Sequence, residues 1–318
     1  MNFQKIPPVE TADEMLELAF RKARERSNYR SLQGTWLEKI KQKEGIKIDI
    51  IKSSLYARLD AVMVVFPDLS VISNFYIKLM RLTIDFGKLK QSLSTLNWAK
   101  EQISRLHRMT ARKIGRSETK DEIGEASKQF YGRVSSVIKQ IDQYLQFLEA
   151  SRKTMRTYPD IKDLFTVCIY GFPNVGKTTL LNNLTGTTAK IAAYAFTTVT
   201  INAGYVTIDG EKVQILDVPG TLAREEKLNN IELQAELALK EVADLIIYVF
   251  DLTEQCGFSR EVQEQLFATI KTKKPVVVYL SKIDLIPKSQ IKSLPYKALS
   301  MADLQKEIRE VLLSSKTE

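Results

Sequence analysis

Residues 165–186 read FTVCIYGFPNVGKTTLLNNLTG, and this stretch decides the fold of the second half of the chain. Its centre, from Gly171 to Thr178, fits the pattern G-x-x-x-x-G-K-[S/T]. An apolar strand candidate precedes the pattern and a helix candidate follows it, which is the context that a phosphate-binding loop requires. Backbone N–H groups and the helix N-terminus bind phosphate oxygens in such a loop. The predicted nucleotide-binding residues of this loop are Gly171, Asn174, Val175, Gly176, Lys177, Thr178 and Thr179.

Further residues are predicted to bind Mg²⁺ and the terminal phosphate of the nucleotide. Lys177 is predicted to reach the β- and γ-phosphates, and the Thr178 hydroxyl is predicted to ligate Mg²⁺. The sequence DVPG, which begins with Asp217, ends a strand candidate about 40 residues after Lys177. A carboxylate at that place can hold Mg²⁺ through water, and the Gly220 N–H can meet the γ-phosphate without a side chain in the way.

A threonine pair lies between the first two strand candidates of this half, directly after Phe196. In a GTPase, a Thr at this place closes on Mg²⁺ and the γ-phosphate and is released after hydrolysis. The alternative is a β-prone surface loop. Of Thr197 and Thr198 we favour Thr198. The predicted catalytic residues are thus Lys177, Thr198 and Gly220, and the predicted metal ligands are Thr178, Thr198 and Asp217.

The sequence SKID, residues 281–284, predicts which base the nucleotide carries. It follows the strand candidate 275–280. The Asp284 carboxylate can accept two hydrogen bonds, from guanine N1–H and from the 2-amino group, and adenine does not supply that pair. The stem of Lys282 can cover the base plane. The alternative is a solvated charge pair at a strand end. Ser281, Lys282 and Asp284 are therefore predicted to bind the guanine of GTP or GDP.

The second half alternates short apolar runs with helical stretches, which indicates a mostly parallel, doubly wound sheet. Functional groups are expected at the carboxyl ends of its strands. We predict a P-loop GTPase (G) domain over residues 161–318. The strand candidates are 165–170, 204–208, 213–217, 245–250, 275–280 and 297–299, and the helix candidates lie near 177–185, 228–241, 259–271 and 302–313.

The first half is predicted to be a helical bundle over residues 1–160. Apolar residues at spacings of three and four indicate two long amphipathic helices, near 86–114 and 119–157. Helices of that length suit an antiparallel bundle. The predicted fold class is therefore α plus α/β, an N-terminal helical bundle followed by the G domain.

The excess of basic over acidic residues is confined to this first half. Residues 1–160 hold 29 Lys and Arg against 19 Asp and Glu, whereas residues 161–318 hold 18 against 19. Such asymmetry suggests a polyanionic partner, nucleic acid or an acidic membrane surface, although a solvated basic face is the alternative. Tyr29 and Trp36 could stack on RNA bases or belong to the core. The candidate RNA-binding residues form two clusters: Arg21, Lys22 and Arg24, and the helical register of Arg105, Arg108, Arg112 and Arg116.

Composition excludes several classes of protein. Cys168, Cys256 and the single His107 are too few for a disulfide framework or a zinc site. No segment approaches the roughly 18 apolar residues of a membrane span. The first ten residues lack the apolar run of a signal peptide. We expect a soluble cytoplasmic protein with no membrane partner, and a monomer because no dimerisation surface is apparent.

The chain resembles the nucleolar GTP-binding protein family, the Nog branch of the Obg-related GTPases, in its shorter archaeal form. The resemblance rests on GFPNVGKTTLLNNLTG at 171–186, AAYAFTTVTINAGY at 192–205, DVPGTL at 217–222, DLTEQCGFSREVQEQLF at 251–267 and NFQKIPPVETADEMLELAF at 2–20. It implies a GTPase that assists assembly of the large ribosomal subunit and docks on ribosomal RNA (rRNA) through its helical half. It also implies the phosphate, Mg²⁺ and guanine roles given above.

Three positions depart from the family pattern. Ser281 stands where the guanine motif usually has Asn, Thr221 stands where an apolar residue usually follows DxPG, and Ser300-Met301 replaces the usual Ser-Ala. Ser300 thus remains a candidate for the contact with the base edge. Because Thr221 is too short to orient water as a Gln does there in signalling GTPases, we predict slow intrinsic hydrolysis.

Two further hypotheses concern the cation and the mode of action. In some related GTPases an Asn at the position of Asn174 helps to bind K⁺, which would join Mg²⁺ as a cofactor; the alternative is that Asn174 only stabilises the loop. The main functional reading is a GTP-hydrolysing factor that switches its grip on a large-subunit precursor. Its alternatives are a nucleotide-gated RNA-binding scaffold with negligible hydrolysis and a signalling GTPase with protein effectors, which the basic helical half disfavours.

Overall fold

The computed structural model describes residues 3, 6–27, 32–66, 71–186, 192–196, 199–219, 230–270, 274–286 and 296–315. The chain falls into two compact units. The helical unit comprises Gln4–Ile72 and Thr83–Arg156, and the GTPase unit comprises Met1–Phe3, Ser73–Leu82 and Thr157–Glu318. The segment 73–82 therefore belongs to the GTPase unit, whereas the sequence assigned everything before 161 to the bundle.

Six described helices precede the first strand. Their apolar stripes are buried: in the fourth helix, for example, Leu89, Leu96 and Ile103 are at most 1% exposed. The first two helices each begin with a capping box, Thr11 with Glu14 and Thr35 with Glu38. The helices are α1 (Ala12–Arg26), α2 (Trp36–Val65), α3 (Asn74–Thr83), α4 (Phe86–Arg116), α5 (Lys120–Gln140) and α6 (Asp142–Met155).

The prediction of one helix near 119–157 was wrong, because the chain breaks between α5 and α6. The Ile141 N–H bonds to the Ile138 carbonyl three residues back, 3.2 Å away, and so tightens the last turn of α5. The Asp142 carboxylate that follows accepts a hydrogen bond of 2.8 Å from the Ala12 N–H at the start of α1. The break thus lets one helix cap another, and a sequence periodicity does not reveal such a contact.

Helix α3 joins the GTPase unit through Tyr76, which is 4% exposed. The Tyr76 hydroxyl donates to the Pro159 carbonyl at 2.7 Å and accepts from the Ile161 N–H at 3.0 Å. The Phe3 ring meets the Tyr76 ring edge-on, with centroids 4.9 Å apart. Residues distant in sequence therefore meet at the start of the GTPase domain.

Six strands form one mixed sheet in the order β2-β3-β4-β1-β5-β6. Strands β4, β1, β5 and β6 are parallel, β3 is antiparallel to β4, and β2 is antiparallel to β3. The carboxyl ends of the four parallel strands meet at one edge, as the doubly wound prediction requires. The strands are β1 (Thr166–Tyr170), β2 (Ala192–Phe196), β3 (Val199–Ile208), β4 (Glu211–Asp217), β5 (Leu245–Phe250) and β6 (Val276–Leu280).

Four described helices accompany the sheet: α7 (Lys177–Thr185), α8 (Asn230–Glu241), α9 (Arg260–Thr269) and α10 (Met301–Ser314). Strand β2 was not predicted, and β3 begins at Val199 rather than at 204. The candidate strand 297–299 was wrong, since these residues pair with no strand in the described part of the chain. Three residues offer too few ladder hydrogen bonds, and the next residue, Ser300, already caps α10.

Candidate nucleotide-binding site

The phosphate-binding loop leaves the carboxyl end of β1 in a conformation that only certain residues adopt. Gly171 has φ +146°, and a Cβ there would lie 2.7 Å from the Val249 carbonyl oxygen of the neighbouring strand. Gly176 has φ +97° and forms the N-cap of α7. Asn174 takes φ +62°, a region that Asn tolerates better than most residues. The glycines of the sequence motif are thus required by backbone geometry.

Lys177 extends back over this loop. Its Nζ donates to the Gly171 carbonyl at 3.0 Å and to the Phe172 carbonyl at 2.7 Å, and the residue is only 8% exposed. Burial lowers the pKa of Lys177 to about 8, although the nearby Asp217 opposes the shift. The buried ammonium therefore lacks a full counter-charge, which phosphate oxygens would supply.

Thr178 and Asp217 meet at the edge where β1 and β4 end. The Thr178 Oγ1 donates to the Asp217 Oδ2 at 2.5 Å, and the Asn202 Nδ2 lies 3.4 Å from the same oxygen. Asp217 is 6% exposed. Burial raises its pKa despite the Thr178 hydrogen bond and the charge of Lys177. A buried carboxylate beside a hydroxyl supplies the hard oxygen donors that Mg²⁺ prefers, so these residues fit the expected metal.

The guanine motif follows β6 at the same edge. The Ser281 N–H and Oγ both donate to the Phe250 carbonyl, at 2.8 and 3.0 Å. A Cβ at Gly176 would lie 3.7 Å from the Ser281 Cβ, so the motif adjoins the phosphate-binding loop. Lys282 has φ +51°, and the exposed Asp284 lies in the 3₁₀ turn Ile283–Leu285. The structure thus brings the guanine motif next to the predicted phosphate site.

A buried network that the sequence analysis missed lies between these motifs. Asp251, directly after β5, is 0% exposed, and its Oδ2 accepts from the Lys282 Nζ at 2.6 Å. Burial alone would raise the pKa of Asp251, but hydrogen bonds from Lys282 and Thr253 outweigh it and hold the pKa below its usual range. The buried Gln263 binds both the N–H and the carbonyl of Asp251, each at 2.9 Å. A carboxylate directly after an apolar strand was the signal available in the sequence.

The other predicted residues of the nucleotide site are placed as follows. Val175 is fully buried and Thr179 is exposed at the start of α7. The Ser300 hydroxyl donates to the Asp303 carboxylate at 2.7 Å and accepts from the Asp303 N–H at 3.2 Å, so it serves the cap of α10. Thr197, Thr198, Gly220 and Thr221 lie outside the described residues.

The candidate RNA-binding residues of the helical unit lie on its surface. Arg105, Arg108, Arg112 and Arg116 are all exposed along α4, as are Arg21 and Arg24 on α1, while Lys22 is half-buried. Trp36 is 65% exposed and is not a core residue. The Lys41 Nζ donates to the Gly115 carbonyl at 3.0 Å, which brings the start of α2 to the end of α4. Trp36 therefore lies at the end of the helical unit that carries Arg112 and Arg116.

Two other features complete the description. His107 contacts the Asp49 carboxylate, with Nε2 2.6 Å from Oδ1, and both cysteines are buried. Over the part of the chain that the structure describes, no helix combines the length and the apolar character needed to cross a bilayer.

Both halves of the chain match families of known proteins. A family model for the NOG1 N-terminal helical domain matches residues 3–162, and a model for the 50S ribosome-binding GTPase matches residues 166–282. An uncharacterised protein of Methanocaldococcus jannaschii is 37% identical over 294 residues, which cover 91% of this chain and 83% of that protein. Nucleolar GTP-binding protein 1 of Drosophila melanogaster is 28% identical over 319 residues, covering 99% of this chain and 49% of that protein.

The chain therefore spans about half the length of the Drosophila relative. Among solved structures, a nucleolar GTP-binding protein 1 of Plasmodium falciparum aligns with a TM-score of 0.39 at 24% identity. That alignment covers 50% of this chain and 92% of the other.

Proposed function

Because the chain belongs to the nucleolar GTP-binding protein 1 (Nog1) family and carries a P-loop GTPase domain, we propose that it hydrolyses GTP as an assembly factor for the large ribosomal subunit. The observation that carries the proposal is the meeting of three motifs at one sheet edge. Lys177 lies over the phosphate-binding loop, Thr178 bonds to Asp217, and the guanine motif adjoins Gly176. This arrangement provides for the phosphates, the metal and the base of GTP together.

The metal in this proposal is Mg²⁺. The Thr178 hydroxyl and the Asp217 carboxylate would hold it, together with Thr198 in the GTP-bound state. Mg²⁺ would neutralise charge that develops on the phosphates during hydrolysis. K⁺ is a second proposed cation, which would bind beside Asn174. The backbone of Asn174 has φ +62°, and its side chain is exposed.

Hydrolysis is proposed to be slow in the isolated protein. Lys177 and the backbone N–H groups of the loop stabilise phosphate charge, but the residue after DVPG is Thr221 and not a water-orienting Gln. A partner that orders the attacking water would then accelerate turnover. The bound precursor particle is the proposed source of that acceleration.

The helical unit is proposed to dock on rRNA. Four exposed Arg residues lie in one helical register of α4. Phosphate contacts of this kind give affinity with little sequence preference. The family model that matches the GTPase domain is described as 50S ribosome-binding, which agrees with a large-subunit partner.

Co-sedimentation with large-subunit particles tests the proposal. The protein is mixed with particles in a non-hydrolysable GTP analogue and in GDP, and the bound fraction is measured in each. We expect the two fractions to differ, and we expect Lys177→Ala to abolish the difference. No association in either nucleotide would refute the ribosomal part, and the GTPase assay would still test the chemistry.

The alternative is a nucleotide-gated RNA-binding scaffold with negligible hydrolysis. A hydrolysis-defective variant that still binds GTP separates the two functions. If such a variant supports a complete cycle of binding to and release from the particle, binding alone is the function. If it binds but is not released, hydrolysis is required.

A further inference from the structure

The guanine motif of this chain is held at its first residue by hydrogen bonds from Ser281 to one carbonyl group. Ser281 stands where the family pattern has Asn, and its hydroxyl makes a single hydrogen bond, to the Phe250 carbonyl. A serine hydroxyl offers one donor, whereas an Asn amide offers two donors and an acceptor. Lys282 follows with φ +51°, a backbone conformation that costs energy in a residue other than Gly. The Ser281 N–H donates to the same carbonyl at 2.8 Å, and Lys282 has a further contact of its own.

The Asp251 carboxylate supplies that contact. The Lys282 side chain is 26% exposed, yet its Nζ lies 2.6 Å from the fully buried Asp251 Oδ2. The carboxylate also accepts the Cys256 N–H at 2.9 Å, the Thr253 N–H at 3.0 Å and the Thr253 hydroxyl. Three of the four hydrogen bonds to the Asp251 carboxylate come from Thr253 and Cys256, so these residues hold it in place independently of Lys282.

Gln263 fixes the backbone on which Asp251 stands. Its side chain is 0% exposed and binds the Asp251 N–H and carbonyl, and its Nε2 lies 3.0 Å from the Phe258 carbonyl. One amide therefore closes the loop 251–258 onto helix α9. We call residues 251–263 the DLTEQC loop and its anchor.

The same loop reaches the phosphate site. Phe258 stacks on Phe172, with ring centroids 4.4 Å apart and planes at 29°. Phe172 is 1% exposed, and its carbonyl accepts the hydrogen bond from Lys177. The DLTEQC loop and its anchor thus hold the guanine motif through Asp251 and the phosphate-binding loop through Phe258.

We propose that Asp251 is a positioning residue for guanine specificity, which holds Lys282 so that the following Asp284 faces the base. The inference rests on the proposed function only in that the chain binds guanine nucleotides. The DLTEQC loop and its anchor are accordingly part of the nucleotide site, although none of their side chains needs to touch the nucleotide.

The experiment compares the dissociation constants for GDP and for inosine diphosphate (IDP), which lacks the 2-amino group that Asp284 would bind. Asp251→Asn keeps the shape and removes the charge. We expect it to weaken GDP binding by about 10-fold, the effect of one charge-assisted hydrogen bond, and IDP binding by less. The preference for GDP over IDP should therefore fall.

The matched control is Asp244→Asn, at the opposite end of the same strand. Asp244 accepts the Thr166 N–H at 2.7 Å and lies just before β5, away from the nucleotide edge. This variant should lower the melting temperature and leave the GDP-to-IDP preference unchanged. An unchanged preference in Asp251→Asn, or an equal fall in both variants, would overturn the inference.

Lys282→Gln keeps the inference falsifiable if Asp251→Asn does not fold. Lys282 is partly exposed, so its replacement is tolerated more easily, and it should lower the same preference. A preference equal to that of the wild type would also overturn the inference. Failure of the wild-type protein to bind GDP would instead refute the proposed GTP binding, so the two failures are distinguishable.

Discussion

Binding of GDP should be coupled to proton uptake by Lys177. In the nucleotide-free protein, burial lowers the pKa of Lys177 to about 8. The fraction of molecules in which Lys177 is deprotonated is therefore roughly 0.1 at pH 7 and roughly 0.8 at pH 8.5. Bound phosphates favour the ammonium and raise the pKa again. Proton uptake per GDP should thus rise from about 0.1 to about 0.8 between these pH values, and GDP affinity should fall by about 4-fold.

Isothermal titration calorimetry measures this uptake directly. At each pH the binding enthalpy is determined in two buffers of different ionisation enthalpy, and the slope gives the number of protons. Guanosine is the control ligand, because it shares the base but has no phosphates. In Lys177→Arg the guanidinium stays protonated throughout, so the uptake should vanish. Equal uptake at pH 7 and pH 8.5, or the same rise with guanosine, would refute the assignment.

Three further predictions concern other parts of the molecule. Tyr76→Phe should lower the free energy of unfolding by about 1–3 kcal/mol in urea titrations, because it leaves the Pro159 carbonyl and the Ile161 N–H without their buried partner. Tyr144→Phe is the control, because the Tyr144 hydroxyl accepts a long, exposed hydrogen bond of 3.4 Å from the Gln91 side chain. Hydrolysis should be faster in K⁺ than in Na⁺, and equal rates would exclude the proposed role of Asn174. Replacement by Gln of the four Arg residues in the α4 register should reduce the slope of log binding constant against log salt concentration for RNA by about 3. An unchanged slope would mean that these residues do not contact phosphates. The four residues are Arg105, Arg108, Arg112 and Arg116.

Most of the fold could be predicted because its signals are local. Apolar periodicity is sufficient for α4 and for the buried strands β1, β4 and β5. Strand β2 has the sequence AAYAF, which is poor in β-branched residues, and its pairing with β3 is a tertiary contact. The break at Ile141 depends likewise on the distant contact between Asp142 and Ala12.

The candidate site also contains residues that local motifs predict and residues that meet only through the tertiary fold. Lys177, Thr178 and Asp217 belong to motifs whose spacing is fixed by a strand, a loop and a helix, so the sequence alone locates them. Asp251 and Lys282 are 31 residues apart and meet only because β5 and β6 are adjacent parallel strands. Both residues follow the carboxyl end of a parallel strand. A systematic reading of strand ends, rather than of motifs, would have paired them.

Two contacts of α3 within the GTPase unit differ in how much they stabilise it. The Lys78–Glu241 ion pair joins α3 to the end of α8, but Lys78 is 51% exposed and such a pair contributes about 0–1 kcal/mol. Tyr76 makes two hydrogen bonds of 2.7 and 3.0 Å to residues 159 and 161 and is almost fully buried. Tyr76 therefore outweighs the ion pair. A fragment that began at residue 161 would lack α3 and leave the Ile161 N–H without this partner, so the GTPase unit is complete only with a helix that lies some 80 residues earlier in the chain.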